Sequence, residues 1–135
     1  MPSARSRTFL RLSKAAIVIC GFALIALGAT AKAQNIRVTQ ATDYWYQIDT
    51  TTVFSARTYA AAGYGSDPML WLYNSDGQLL AQNDDWYGLQ SNIQIELQPG
   101  WYRLRAGVCC GNPDAWWSGV QYDLETSVSP VVPTT

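Results

Sequence analysis

The stretch DPMLWLYNSDGQLLAQNDDW, Asp67–Trp86, decides the fold. Two apolar runs flank Asn74-Ser75-Asp76-Gly77, a turn signal in which Gly77 supplies a positive φ. The order predicts a strand, a tight turn and a returning antiparallel strand. A two-residue loop at Ser75-Asp76 pairs Leu72 with Leu79, Leu70 with Ala81, Trp71 with Leu80, and Asp67 with Asp84. A three-residue loop with a bulge at Gly77 shifts each pair by one and sets Asp67 opposite Asp85. In both registers an acid lands beside acids at the end away from the turn.

The rest of the chain after residue 34 has the same character. IQIEL places Ile93, Ile95 and Leu97 on one face, WYRLRA places Tyr102, Leu104 and Ala106 on one face, and VQYDLE does so for Val120, Tyr122 and Leu124. This period of two is that of half-buried antiparallel strands. Strands are expected at Ile36–Thr39, Tyr44–Asp49, Thr52–Tyr59, Met69–Tyr73, Gln78–Gln82, Ile93–Leu97, Trp101–Ala106 and Val120–Ser127. Between two of them, Pro99-Gly100 reads as a type II turn. The expected class is all-β: one jelly-roll-like antiparallel β-sandwich of about eight strands.

The N-terminal residues read as a separate segment. Arg5, Arg7, Arg11 and Lys14 precede the apolar run AAIVICGFALIALGA and the small-residue pattern TAKA. That is the order of a secretory signal peptide, with cleavage expected after Ala33. The run is short for a bilayer span, which takes about 20 apolar residues. The expected organisation is a signal peptide at 1–33, the sandwich at 34–128 and a flexible tail at 129–135. Five of the nine basic residues fall in the signal, whereas all ten acids follow it. Four bases against ten acids disfavour nucleic acid and anionic membranes and suit a cation.

The acidic end of the hairpin is the candidate metal site. Like charges opposite one another weaken a strand pair, and a hard cation reverses the sign of that term. Calcium takes about six to eight oxygen ligands from carboxylates, amides, backbone and water. Asp67, Asn83, Asp84 and Asp85 are the expected ligands, with Asp43 or Asp49 as further candidates. The competing reading is that these acids only cap turns.

These pieces together resemble the bacterial pre-peptidase C-terminal domain family. The resemblance is carried by Asp67–Asp85, the alternating Ile93–Ile95, Leu97–Ala106 with its L-x-P-G-x-Y-x-L-R-A order, and the closing Gly119–Leu124. DYWYQI, Asp43–Ile48, resembles the family's strand before its first core strands, and the likeness runs from Ile36 to Ser127. It implies a jelly-roll-like sandwich without catalytic residues, appended to secreted proteases and other exported enzymes. Some related domains bind collagen or polysaccharide, and some bind calcium.

Contacts and chemistry are read from the remaining residues. All six Trp and all eight Tyr lie after residue 34, more than a small core hides. Met69, Trp71 and Tyr73 are expected on the hairpin's outer face, a stripe suited to stacking on sugar or peptide; the competing reading is that this face is buried, under the second sheet or with Trp71 against a loop. Trp86-Tyr87 and Trp116-Trp117 fall in loops; clustered, they would form a binding patch. Trp101, Arg103 and Arg105 suggest a cation–π ladder. Cys109 and Cys110 are adjacent, with about 3.8 Å between Cα atoms across a trans peptide, below the usual disulfide range of roughly 4.4–6.8 Å. A vicinal disulfide, two thiols or bridges to another chain remain open. The chain has no histidine, which removes the commonest general base. The expected function is an exported, non-enzymatic binding or accessory module, periplasmic or secreted, that contacts polysaccharide or protein. The alternatives are an interaction or inhibitor protein that uses the Cys109-Cys110/Trp116-Trp117 loop, and a small carboxylate hydrolase.

Overall fold

The computed structural model describes residues 34–131. The signal-peptide expectation for residues 1–33 and the last four residues of the tail lie outside the described residues. Eight strands follow in order: β1 Gln34–Val38, β2 Thr42–Ile48, β3 Thr52–Ala60, β4 Pro68–Asn74, β5 Leu79–Asn83, β6 Asn92–Leu97, β7 Gly100–Val108 and β8 Tyr122–Thr126. Among the described residues there is no helix. Two four-stranded antiparallel sheets form, in orders β1-β8-β3-β6 and β2-β7-β4-β5. The all-β sandwich and each of its eight strands were legible in the sequence.

Connectivity explains why one stretch mattered so much. Every link between consecutive strands crosses from one sheet to the other except β4–β5. The Asp67–Trp86 segment is thus the single hairpin among the described residues. Its turn is the three-residue form. Asn74 N–H donates to the Gln78 carbonyl, Gly77 N–H donates to the Asn74 carbonyl, and Gly77 has φ +82°. The Asn74 side-chain oxygen also accepts from the backbone of Asp76 and Gln78, an Asx arrangement that fixes the loop.

Beyond the turn the expected pairing does not hold. Tyr73 pairs with Leu79, but Leu72 then pairs with Ala81, Trp71 with Gln82 and Leu70 with Asn83. Leu80 is the extra residue of a bulge, which moves all later pairs by one more place. The correction costs the core nothing. Leu70 and Leu72 still point inward, while Leu79 and Leu80 are exposed.

The core fills the space between the sheets as the alternation requires. Tyr46, Phe54, Leu70, Leu72, Leu104, Tyr122 and Leu124 are fully enclosed. The Tyr46 and Phe54 rings meet edge to face at 4.9 Å. The Tyr122 hydroxyl donates to the Gly107 carbonyl at 2.8 Å and so links the two sheets. Pro99-Gly100 is an inter-sheet corner rather than a hairpin turn, since β6 and β7 lie in different sheets. Gly100 accordingly has φ +152°, well beyond the roughly +80° of a type II turn. Tyr102 lies under this corner and its hydroxyl donates to the Gln98 carbonyl at 2.7 Å. The tail is tied down further than expected: Val131 N–H donates to the Trp45 carbonyl at 2.7 Å.

Candidate functional site

The acidic residues do converge, by a different route from the expected register. Asp67 immediately precedes β4, and Asp84 and Asp85 immediately follow β5. One carboxylate oxygen from each lies within 4.8 Å of the others. One oxygen each of Asp67 and Asp84 is buried without a hydrogen-bond partner. Among the described residues none of the three acids forms an ion pair, since the ion pairs involve Asp43, Asp114 and Asp123. Desolvation, then the charge of Asp85, raises the pKa of Asp67. Desolvation, then Asp85 and Asp67, does the same for Asp84. Both shifts state that burial, and then the neighbouring charges, disfavour the ionised forms there.

One expected ligand and one further candidate have other partners. The Asn83 side-chain oxygen accepts the Asn92 backbone N–H at 2.9 Å, so it is committed to the β5–β6 connection. Asp43 is held by Arg103 and Arg105 at 3.1 and 3.4 Å. The clustered carboxylate oxygens that no ion pair claims among the described residues are therefore those of Asp67, Asp84 and Asp85.

Cys109 and Cys110 form a vicinal disulfide across a cis peptide, with Cα atoms 3.2 Å apart. This answers the choice that the sequence left open. Their sulfurs lie within 4.8 Å of an Asp67 oxygen, and Cys109 N–H donates to the Asp67 carbonyl at 2.8 Å. A bonded pair offers no thiolate, so it adds no soft ligand to the acids.

The outer face of β4 is not an open stripe. Trp71 is only 3% exposed and Met69 is buried with it. The β7–β8 loop covers them: the Trp71 ring edge stands 3.1 Å from where a Cβ on Gly107 would sit, beside the Pro113 carbonyl. Arg105 straps this loop down, donating to the Pro113 carbonyl at 2.9 Å and to Asp114 at 3.0 Å. Tyr73 lies half-buried beneath the Arg103 guanidinium, 4.3 Å from the ring centre. The cation–π contact of this face is thus Arg103 with Tyr73, not with Trp101.

The two aromatic loops also part company. Trp116 packs inward, its ring 5.9 Å from that of Tyr122, while Trp117 is 43% exposed. Trp86 and Tyr87 are 50% and 75% exposed, with Leu89 open beside them. Their loop is nonetheless anchored. The buried Ser91 hydroxyl lies 2.7 Å from both the Pro68 and the Asp84 carbonyls. Ser91 N–H donates to Thr58, whose hydroxyl donates to Gln90. Among the described residues the aromatic pairs that involve these loops are Trp86–Tyr87 and Trp116–Tyr122, so the loops do not merge into one patch.

Trp86 instead leans over the other sheet. The Arg57 guanidinium lies 4.5 Å from the Trp86 ring centre and 4.8 Å from that of Tyr59. Ser55, Asn92, Gln94, Glu125, Thr126 and Ser127 complete an open groove of about 440 Å³. Sequence reasoning singled out Trp86 but missed Arg57, Tyr59, Gln94 and Glu125. The signal was present in TVFSARTYA, whose outward positions Ser55, Arg57 and Tyr59 are polar or aromatic. Linking them to Trp86 required the tertiary fold.

The architecture and this surface define a small β-sandwich with a solvent-facing polar groove and no assembled catalytic constellation among the described residues. Among solved structures, the chain is similar to the pre-peptidase C-terminal domain of a collagenase from Bacillus anthracis. The two share 12% identity and a TM-score of 0.51, over 74% of this chain and 90% of that one. At that identity the likeness establishes the fold, and at that level it meets the expectation raised by the sequence motifs. No family model matches the sequence, and no curated protein matches it.

Proposed function

We propose that the protein is an exported, non-catalytic binding module of accessory type, which contacts polysaccharide or protein through the Trp86-Tyr87 loop. One observation carries this reading: a loop pinned internally by Ser91 presents Trp86, Tyr87 and Leu89 to solvent. Large aromatics on a rigid support give contact area at little entropic cost. The similar solved structure is a C-terminal domain of a collagenase, which supports an accessory role. Export is supported by the signal-like N-terminal sequence and by a disulfide, which persists in oxidising compartments. A calcium ion held by Asp67, Asp84 and Asp85 would rigidify the end of the hairpin from which this loop departs. Support for it comes from three unpaired carboxylates within 4.8 Å and two buried oxygens lacking partners.

Retention on insoluble polysaccharides and on immobilised gelatin, with calcium or with chelator, tests the reading. The protein is expected to be retained on one of these, and Trp86→Ala with Tyr87→Ala is expected to release it. Equal retention of the double variant would move the contact to another surface, with the Trp117 loop as the next candidate.

A further inference from the structure

The groove beside Trp86 is longer than its deepest part. A second hollow of about 290 Å³, lined by Asn35, Tyr59, Asp123 and Glu125, meets the first at Tyr59 and Glu125. Together they form a trough that starts at Asn92 and Gln94 on β6, passes Arg57 and Tyr59 on β3 and Glu125 on β8, and reaches Asn35 on β1. It therefore crosses all four strands of one sheet, a width of about 14 Å at the usual inter-strand spacing.

Arg57 is the unusual member. It stands directly opposite Glu125 in the β3–β8 register. Nevertheless, no carboxylate lies within salt-bridge distance of it among the described residues. Glu125 accepts from the Tyr59 hydroxyl at 3.0 Å instead. The guanidinium lies against two aromatic rings, and among the described residues its fork of donors is unclaimed by any carboxylate. Around it stand the Gln94 amide, the Ser55 hydroxyl and the Glu125 carboxylate, donors and acceptors interleaved beside one exposed indole.

That mixture selects a ligand class. A sugar ring offers vicinal hydroxyls that both donate and accept, and an apolar face for an indole. A polyanion would meet Glu125 and Asp123 in the trough, on a domain with ten acids against four bases. A peptide added as a strand needs a sheet edge, whereas the trough runs across a face. We infer that this trough is a subsite for a neutral oligosaccharide lying across β6, β3, β8 and β1, with Arg57 and Glu125 binding its hydroxyls and Trp86 stacking on a ring. The inference rests on the binding-module reading and names its ligand class.

Calorimetric titration of the purified protein with cellohexaose, maltohexaose and chitohexaose, beside hexagalacturonate and gelatin, tests it. At least one neutral hexaose is expected to bind. Arg57→Lys keeps the charge but loses the planar fork and is expected to weaken that binding by about tenfold. Glu125→Gln, which preserves shape, is expected to weaken it too, and the uronate is expected to bind no better than the neutral sugars. Melting curves check that each variant is folded. Binding of gelatin or the uronate alone would overturn the neutral-oligosaccharide assignment and leave the binding-module reading standing. Hexaose binding indifferent to both variants would overturn the subsite. No binding by any of the five would count against both.

Discussion

Replacing Asp84 with Asn isolates the electrostatics of the acidic end. The substitution keeps shape and leaves the Asp84 carbonyl free to accept from Ser91. Each pair of carboxylates approaches within 4.8 Å. At 4.8 Å two unit charges repel by about 0.9 kcal/mol in the dielectric of water, and by about 3.5 kcal/mol at an effective value of 20. The site is partly solvated, so the lower figure applies, discounted further for screening. Asp84→Asn removes two such pairs, which predicts a gain of about 1–2 kcal/mol for the metal-free protein. In a domain of this size that is a rise in Tm of about 5–10 °C. Calcium should act unequally on the two proteins. It should stabilise the wild type by about 2.7 kcal/mol at a hundredfold excess over Kd, raising its Tm, and should barely move Asp84→Asn. Thermal melts of both proteins in chelator and across a calcium series provide the assay. A variant less stable than wild type in chelator would refute the repulsion argument, and an identical calcium response in both would refute the cation.

Three further outcomes follow from the same geometry. The raised pKa values of Asp67 and Asp84 favour their protonated forms in the folded state. Their contribution is therefore full below the ordinary 3.8 and is lost as pH rises through the raised values. Melts in chelator should show the advantage of Asp84→Asn over wild type growing with pH across that window, and a constant gap would contradict it. Ser91→Ala leaves the Pro68 and Asp84 carbonyls without their shared partner. It should cost about 1–3 kcal/mol and speed hydrogen exchange in residues 84–90; unchanged exchange would show the loop is held otherwise. Tyr122→Phe removes the inter-sheet bond to Gly107. A loss of about 1–2 kcal/mol in denaturant unfolding is expected, and a neutral result would mean water replaces the hydroxyl.

Local pattern carried the fold because most strands are half-buried and write their own inward face. Ile93/Leu97 and Tyr102/Leu104/Ala106 fix a core side without knowledge of their partners. Which strands pair is another matter. Pro99-Gly100 has turn chemistry whether it closes a hairpin or an arch between sheets, so the sequence could not separate the two. Leu80 gives no sign that it will bulge, because an apolar residue suits either face of a strand. Its neighbours were consequently paired wrongly, yet the acids still met, since their convergence depends on lying just beyond the hairpin's open end. Burial of Trp71 was among the readings the sequence allowed, but its cover was illegible, because the 109–121 connection is strapped over it through Arg105, Pro113 and Asp114. The groove around Arg57 joins strands β3, β6 and β8 to a loop. No window of sequence contains all of its parts.

The most direct test of the binding reading is a nuclear magnetic resonance titration of the ¹⁵N-labelled protein with the polysaccharide fragment or peptide that retains it. Shifts are expected to be confined to the Trp86 and Tyr87 amides, the Trp86 indole N–H and the neighbouring face at Arg57, Gln94 and Glu125, with the β7–β8 loop silent. Shifts centred on Cys110 and Trp117, with Trp86 unmoved, would contradict it.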